Sequence, residues 1–261
     1  MKFSFTIIIC WSTLLTANDI QISLEFPNYV NEFGHLCKDD IALNFSNIMI
    51  TSIGQNFISS SLITCLNLTS IGIKSIQMGA FNKLPNLTQL FIFNNNINFN
   101  ELFSFGGHEN LKVLILNSAT IQRSYHQSNI VDISEEHPNL EILSVRRNYV
   151  NDLQTLIEET PFSKLKILDL SSNSIKGTNF IELLPNSLYF LDPHYNSLIS
   201  LAFDKKQVNL LALNLDNNNL KYVKKYNYSR DSSDSYNPHD QYNQHNRHYE
   251  YKMYDQYNQH N

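Results

Sequence analysis

One spacing constrains this chain more than any other feature: Leu-x-x-Leu-x-Leu-x-x-Asn-x-Leu, returning roughly every two dozen residues. Its clearest copies are Leu87-Leu90-Ile92-Asn95-Ile97, Leu165-Leu168-Leu170-Asn173-Ile175 and Leu210-Leu213-Leu215-Asn218-Leu220. Aligned on the first position, units begin at Asp40, Ile63, Leu87, Leu111, Leu140, Leu165, Leu188 and Leu210, separated by 23, 24, 24, 29, 25, 23 and 22 residues. A repeat of this length is one supersecondary unit, a short strand plus a return segment, which buries its apolar face only by stacking on its neighbours.

Within each unit the fourth and sixth positions are apolar and alternate with polar or variable ones, the periodicity of a strand with one face inward. Leu66 with Leu68, Leu114 with Leu116, and Leu143 with Val145 are such pairs. A crossover joins each strand to the next, so the strands are expected to stack in parallel along one concave face. The Asn at position nine both donates and accepts, and suits the point where each coil turns away from its strand. Asn95, Asn148, Asn173, Asn196 and Asn218 fill this ladder, while Ile48, Ile71 and Ala119 break it. Phe57, Phe81 and Phe105, each six residues before the next strand, are expected to stack as an aromatic column on the return side.

The run Gly79-Ala80-Phe81-Asn82-Lys83-Leu84-Pro85-Asn86-Leu87-Thr88-Gln89-Leu90 resembles the animal extracellular leucine-rich-repeat proteins, including Toll-type receptor ectodomains. The resemblance covers about Asp40 to Val223. It implies an α/β repeat fold, a curved solenoid of about eight coils with a parallel sheet on the concave face and mostly irregular or 3-10 return segments. It also implies a molecule that binds other molecules, usually proteins, without fixing which.

Residues 1–17 read as a secretory signal, with Lys2 before an apolar stretch and Thr16-Ala17 at a small-residue cleavage site. A capping strand is expected within 18–39, where Ile20, Ile22, Leu24 and Phe26 alternate with polar residues. The repeats then occupy 40–225. The tail, 226–261, lacks Leu, Ile, Val and Phe and is expected to be disordered. In it Asp240 to Asn246 recurs unchanged as Asp255 to Asn261. No stretch after the leader is apolar enough to span a bilayer. Export agrees with four glycosylation sequons, at Asn44, Asn67, Asn86 and Asn227. Once Cys10 leaves with the leader, Cys37 and Cys65 form an even pair that suggests one disulfide; the alternative is two free, partly buried thiols. The net charge of −5, or −6 without Lys2, argues against nucleic acid as a partner.

Positions three, five and seven face the concave side. There Phe91, Phe93, Val113, Ile115 and Ile142 form an apolar cluster beside Arg146, and these six residues are the expected ligand-binding set. Asp169, Asp192 and Asp216 read as a solvated acidic flank. The long fourth coil, with Tyr125, His126, Glu135 and Glu136, is a second candidate binding element. Pro193, at an inward strand position, predicts a local irregularity. No nucleophile–base arrangement, phosphate loop or zinc signature is present, so no enzyme activity, cofactor or metal ion is expected. The sequence therefore points to a secreted binding protein for an extracellular protein ligand or receptor, of undetermined oligomeric state. An extracellular matrix or adhesion protein with a cross-linkable tail is the alternative.

Overall fold

The computed structural model describes residues 37, 41–45, 48–120, 129–203, 210–225 and 249–252. In chain order the strands are β1 (Ala42–Asn44), β2 (Ser52–Ile53), β3 (Cys65–Asn67), β4 (Ser75–Ile76), β5 (Gln89–Phe91), β6 (Val113–Ile115), β7 (Ile130–Ile133) and β8 (Ile142–Ser144). They continue with β9 (Asp152–Thr155), β10 (Ile167–Asp169), β11 (Phe190–Asp192), β12 (Ser200–Phe203), β13 (Ala212–Leu213), β14 (Tyr222–Lys225) and β15 (Tyr249–Lys252). Eight of them form one parallel sheet in the order β1-β3-β5-β6-β8-β10-β11-β13. Each predicted unit contributes one strand, and the eight strands bound seven full turns. The protein is a parallel β-solenoid of the leucine-rich-repeat kind. Its helical content among the described residues is confined to 3-10 turns at Phe99–Glu101 and Asn179–Leu183.

Register follows the repeat without slippage. Position four pairs with position four throughout: Leu43, Leu66, Leu90, Leu114, Leu143, Leu168, Leu191 and Leu213 make one continuous column. From Leu66 onward these leucines are fully or almost fully buried, because their strands turn this side toward the return segments. The position-six residues Leu68, Ile92, Leu116, Val145, Leu170 and Leu215 complete the same core. A one-residue slip would move all of them to the other face, so the leucine spacing itself fixes the pairing.

The asparagine ladder has the geometry its chemistry suggests. The Asn95 amide accepts from Ile73 N–H (3.0 Å) and donates to the Leu68 carbonyl (2.8 Å), both in the preceding coil. Asn148 accepts from the Ala119 and Thr120 amides (2.9 and 3.0 Å) and donates to the Leu116 carbonyl (2.6 Å). Asn173, Asn196 and Asn218 repeat this bridge. Ala119, which interrupts the ladder in its own coil, is thus served by the asparagine of the next one. Just before position nine the chain turns through left-handed backbone in seven successive coils, at Ser70, Asn94, Ser118, Arg147, Ser172, Tyr195 and Asn217 (φ 46° to 58°). Asn adopts that region with little penalty; Ser, Arg147 and Tyr195 do so less readily.

The return side is more ordered than the sequence suggests. It carries short parallel pairs, β2 with β4 and β7 with β9, and the sheet β12-β14-β15. Two-residue strands such as β2 carry no alternation to read, which is why they are silent in the sequence. The aromatic column is real but composed differently from expectation. Phe81 packs on Phe105 (5.5 Å between ring centres), and the stack continues through Phe103, His137 and Phe162. Phe57 lies instead against Phe45 (5.7 Å). The long fourth coil contributes β7, with Val131 and Ile133 buried, so part of the insertion is core rather than free loop. Tyr125 and His126 lie outside the described residues.

Two further departures have physical causes. At Pro193 the ladder loses a bond. The equivalent N–H in other coils (Leu68, Ile92, Leu116, Val145 and Leu170) donates to the next strand at 2.8 to 2.9 Å, whereas proline has none to give. Accordingly β11 pairs with β13 over two residues, not three. Within 226–261, Tyr249–Lys252 form β15, antiparallel to β14. The register sets Glu250 opposite Lys224. The rest of 226–261, residues 1–17 expected as a leader and, apart from Cys37, residues 18–39 expected as a cap lie outside the described residues.

Removing a ladder amide should be costly. Asn148→Ala leaves the buried Ala119 and Thr120 amides without acceptors, and urea unfolding should show a loss of roughly 3 kcal/mol. The core histidine gives a pH signature. Burial, together with the nearby His108, lowers the His137 pKa from 6.5 to about 4. The folded state therefore resists protonation. The stability from His137 is complete above pH 6.5 and falls as the pH drops toward 4, by about 2 kcal/mol between pH 7.5 and 5. His137→Phe, matching its aromatic neighbours, should flatten this part of the stability profile in urea titrations at the two pH values.

Candidate functional site

Register also lays out the concave face. The position-three row runs Ala42, Cys65, Gln89, Val113, Ile142, Ile167, Phe190, Ala212. The position-five row runs Asn44, Asn67, Phe91, Ile115, Ser144, Asp169, Asp192. The face is thus divided: an apolar middle on β5 and β6, then a polar section from β8 to β11.

The predicted apolar residues do come together. Phe91, Val113 and Ile115 form a cluster with Cys65, and Phe93, Ile142 and Cys37 pack against it. The cluster is not an exposed patch, however. Phe91, Val113 and Ile115 are 3%, 8% and 0% exposed. Side chains on neighbouring strands stand too close for these three to be wetted, and the cluster acts as a second, smaller core. Phe93, Ile142 and Arg146 remain half-buried, and they are the members of the predicted set that a ligand can reach. Phe93 and Phe91 are 5.9 Å apart, so the accessible ring rests on the buried one.

Cys37 and Cys65 are joined as a disulfide, with Cα atoms 6.0 Å apart, at the N-terminal margin of this cluster. Of the sequon asparagines, Asn44 and Asn86 are exposed, Asn67 is half-buried and hydrogen-bonded to Thr69 of its own sequon, and Asn227 lies outside the described residues.

The polar section is a connected row, one strand to the next. The side-chain oxygen of Asn117 (Oδ1), two residues past β6, accepts from Ser144 Oγ (2.7 Å) and from the Arg146 N–H (2.9 Å). Ser144 Oγ also lies 3.1 Å from Asp169 Oδ2. Asp169 Oδ1 accepts from the Ser171 N–H (2.9 Å). Asp192 stands opposite Asp169 in the register and pairs with His194 Nδ1 at 2.6 Å. The acidic flank is therefore not a solvated face: Asp192 is 9% exposed, and Asp169 is half-buried. Burial, reinforced by the Asp192 charge, raises the Asp169 pKa, with Ser171 and Arg146 pulling partly the other way. Two buried donors in the row, Asn117 Nδ2 and Arg146 Nε, have no hydrogen-bond partner among the described residues. Sequence reasoning placed Asn117 and Ser144 on this face without marking them. Their signal was the change along position five from Phe91 and Ile115 to Ser144 and Asp169.

Chemically the row can accept a cation and donate to a carbonyl or carboxylate. His194 and Asp192 make an ion-pair geometry, and the fully buried Ser171 hydroxyl has no hydrogen-bond partner among the described residues. Among the described residues, no three His, Cys, Asp or Glu side chains are grouped to hold a metal ion, and no helix is long and apolar enough to cross a membrane. No protein-family profile and no curated protein matches the chain.

The disulfide closes a loop over a sequence separation of 28 residues. Loop-closure entropy for such a length predicts that Cys37→Ser with Cys65→Ser lowers stability by roughly 3 kcal/mol, read from denaturant midpoints of oxidised protein and the double variant.

Proposed function

We propose that this protein is a secreted, non-enzymatic binding module that engages an extracellular protein through the concave face. In this reading it resembles a Toll-type ectodomain, a form suited to sequestering a ligand or blocking a receptor. The observation that carries the reading is the division of that face. An aromatic and aliphatic cluster, Phe93 and Ile142 at its accessible margin, adjoins Arg146 and a half-buried row of hydrogen-bonding groups. Apolar anchors ringed by polar groups, with Arg among them, are the usual makeup of protein-recognition surfaces. The Cys37–Cys65 bond suits an oxidising, extracellular setting.

The test is capture from extracellular fluid with the purified secreted chain, followed by titration against each recovered protein. Phe93→Ala and Arg146→Ala should each weaken binding at least about tenfold while leaving the thermal unfolding transition in place. Deleting 226–261 should leave affinity unchanged. Recovery of insoluble matrix polymer alone, lost with the tail, would instead establish the adhesion reading.

A further inference from the structure

All but one member of the concave apolar cluster come from the strands of the sheet or the turn just after one. Cys65 lies on β3, Phe91 on β5, Val113 and Ile115 on β6, Ile142 on β8, and Phe93 just past β5. Cys37 is the exception. It precedes β1, yet it packs against side chains of strands beyond β1. The bond to Cys65 accounts for this placement. Register puts Cys65 in the position-three row of the concave side, so Cys37 is drawn over that side with it. The first coil gives little other hold. β1 is the end strand of the sheet, and its residues are exposed, half-buried and exposed in turn. Ile41, Ile48 and Met49 are exposed as well. Burial this slight contributes little stacking free energy, and the covalent bond is what keeps Cys37 in place. Phe91 depends on that bond more than the rest of the cluster does. Its row neighbour on one side is the fully buried Ile115, but on the other it is the polar, half-buried Asn67. The sulfur pair belongs to the cluster on that polar side, and Phe91 is 3% exposed.

From this arrangement we infer that the Cys37–Cys65 bond is a redox latch on the concave face. An extracellular dithiol opens it, Cys37 leaves the cluster, and Phe91 joins Phe93 in the accessible apolar margin. The latch rests on the concave-face reading and adds its regulation: the reduced protein offers a partner a larger apolar anchor than the oxidised one. Apolar surface bordered by polar groups is what protein partners cover. The chemistry follows from burial. Cys65 is fully buried and Cys37 half-buried, so an incoming thiolate meets Cys37 Sγ. Its electron pair forms a mixed disulfide with Cys37, while the original S–S pair departs on Cys65, which takes up a proton. The second thiolate of the dithiol then attacks the reductant's own sulfur in the mixed disulfide and releases Cys37, which is protonated in turn. Two electrons and two protons pass to the protein, and the dithiol ends as a disulfide.

The experiment uses the full secreted chain with isotope-labelled phenylalanine rings and leucine methyls, reduced by dithiothreitol in native buffer and probed by NMR with a soluble nitroxide. Reduction should raise the attenuation of the Phe91 ring signals to the level shown by the half-buried Phe93. Iodoacetamide should then alkylate both cysteines. The methyls of Leu114 and Leu143, on the other face of the sheet, should stay unattenuated, and reoxidation should restore the shielding of Phe91. Cys37→Ser with Cys65→Ser should show the open pattern without any reductant. Should that variant fail to fold, the reduced and reoxidised native chain carries the test alone. Three results would overturn the latch: a bond cleaved only after denaturant is added, a Phe91 ring still shielded in the reduced protein, or attenuation spreading to Leu114 and Leu143. A shielded Phe91, with partner binding still lost in Phe93→Ala, removes the latch and leaves the concave-face reading standing. Undiminished binding by Phe93→Ala removes both, because the latch then has no site to control.

Discussion

The solenoid depends on one side-chain amide used over and over. In each regular coil an asparagine accepts an N–H and donates to a carbonyl of the coil before it, as Asn95 does with Ile73 and Leu68. Leucines supply the free energy of stacking but are indifferent to direction. The amide is not, because both of its ends must find backbone partners in a buried place. It sets where each strand stops, and the left-handed residue just before it sends the chain toward the return side. Coils without their own asparagine survive because the interaction points backward: Ala119 has its N–H satisfied by Asn148.

Much of this was legible because the repeat imposes one job per position. Leu43 through Leu213 could be aligned, and their pairing foretold, since a period of two within each strand allows a single register. The return strands were not legible. Ser52–Ile53 and Ser75–Ile76 are too short to show a pattern, and their pairing follows from the stacking of the coils rather than from their own residues. His137 was hidden for a related reason. It takes a place in an aromatic stack with Phe105 and Phe162, and nothing local to it announces an apolar site.

The concave face shows the limit more sharply. The sequence placed Phe91, Ile115 and Asp169 on that side correctly by register, yet it could not give their exposure. Accessibility depends on how closely neighbouring strands bring their side chains. Phe91 and Ile115 proved to be core, while the acidic residues joined a row that buries them beside open donors. The residues with most to offer a partner are consequently those left over at the boundary: Phe93, Ile142, Arg146 and the groups between Asn117 and Asp192.

Pro193 has a mechanical consequence. A stack of coils holds together through neighbour-to-neighbour interfaces, so its resistance to peeling is that of its weakest joint. Between β11 and β13 that joint has lost a backbone bond; the carbonyl of Pro193 keeps only what the equivalent Leu170 carbonyl also has, two asparagine amides, here Asn196 and Asn218. The molecule therefore has a built-in seam near its C-terminal end. Beyond it lie the last coil's strand β13, its return strand β14 and β15, joined to the rest of the concave sheet through that two-residue pairing.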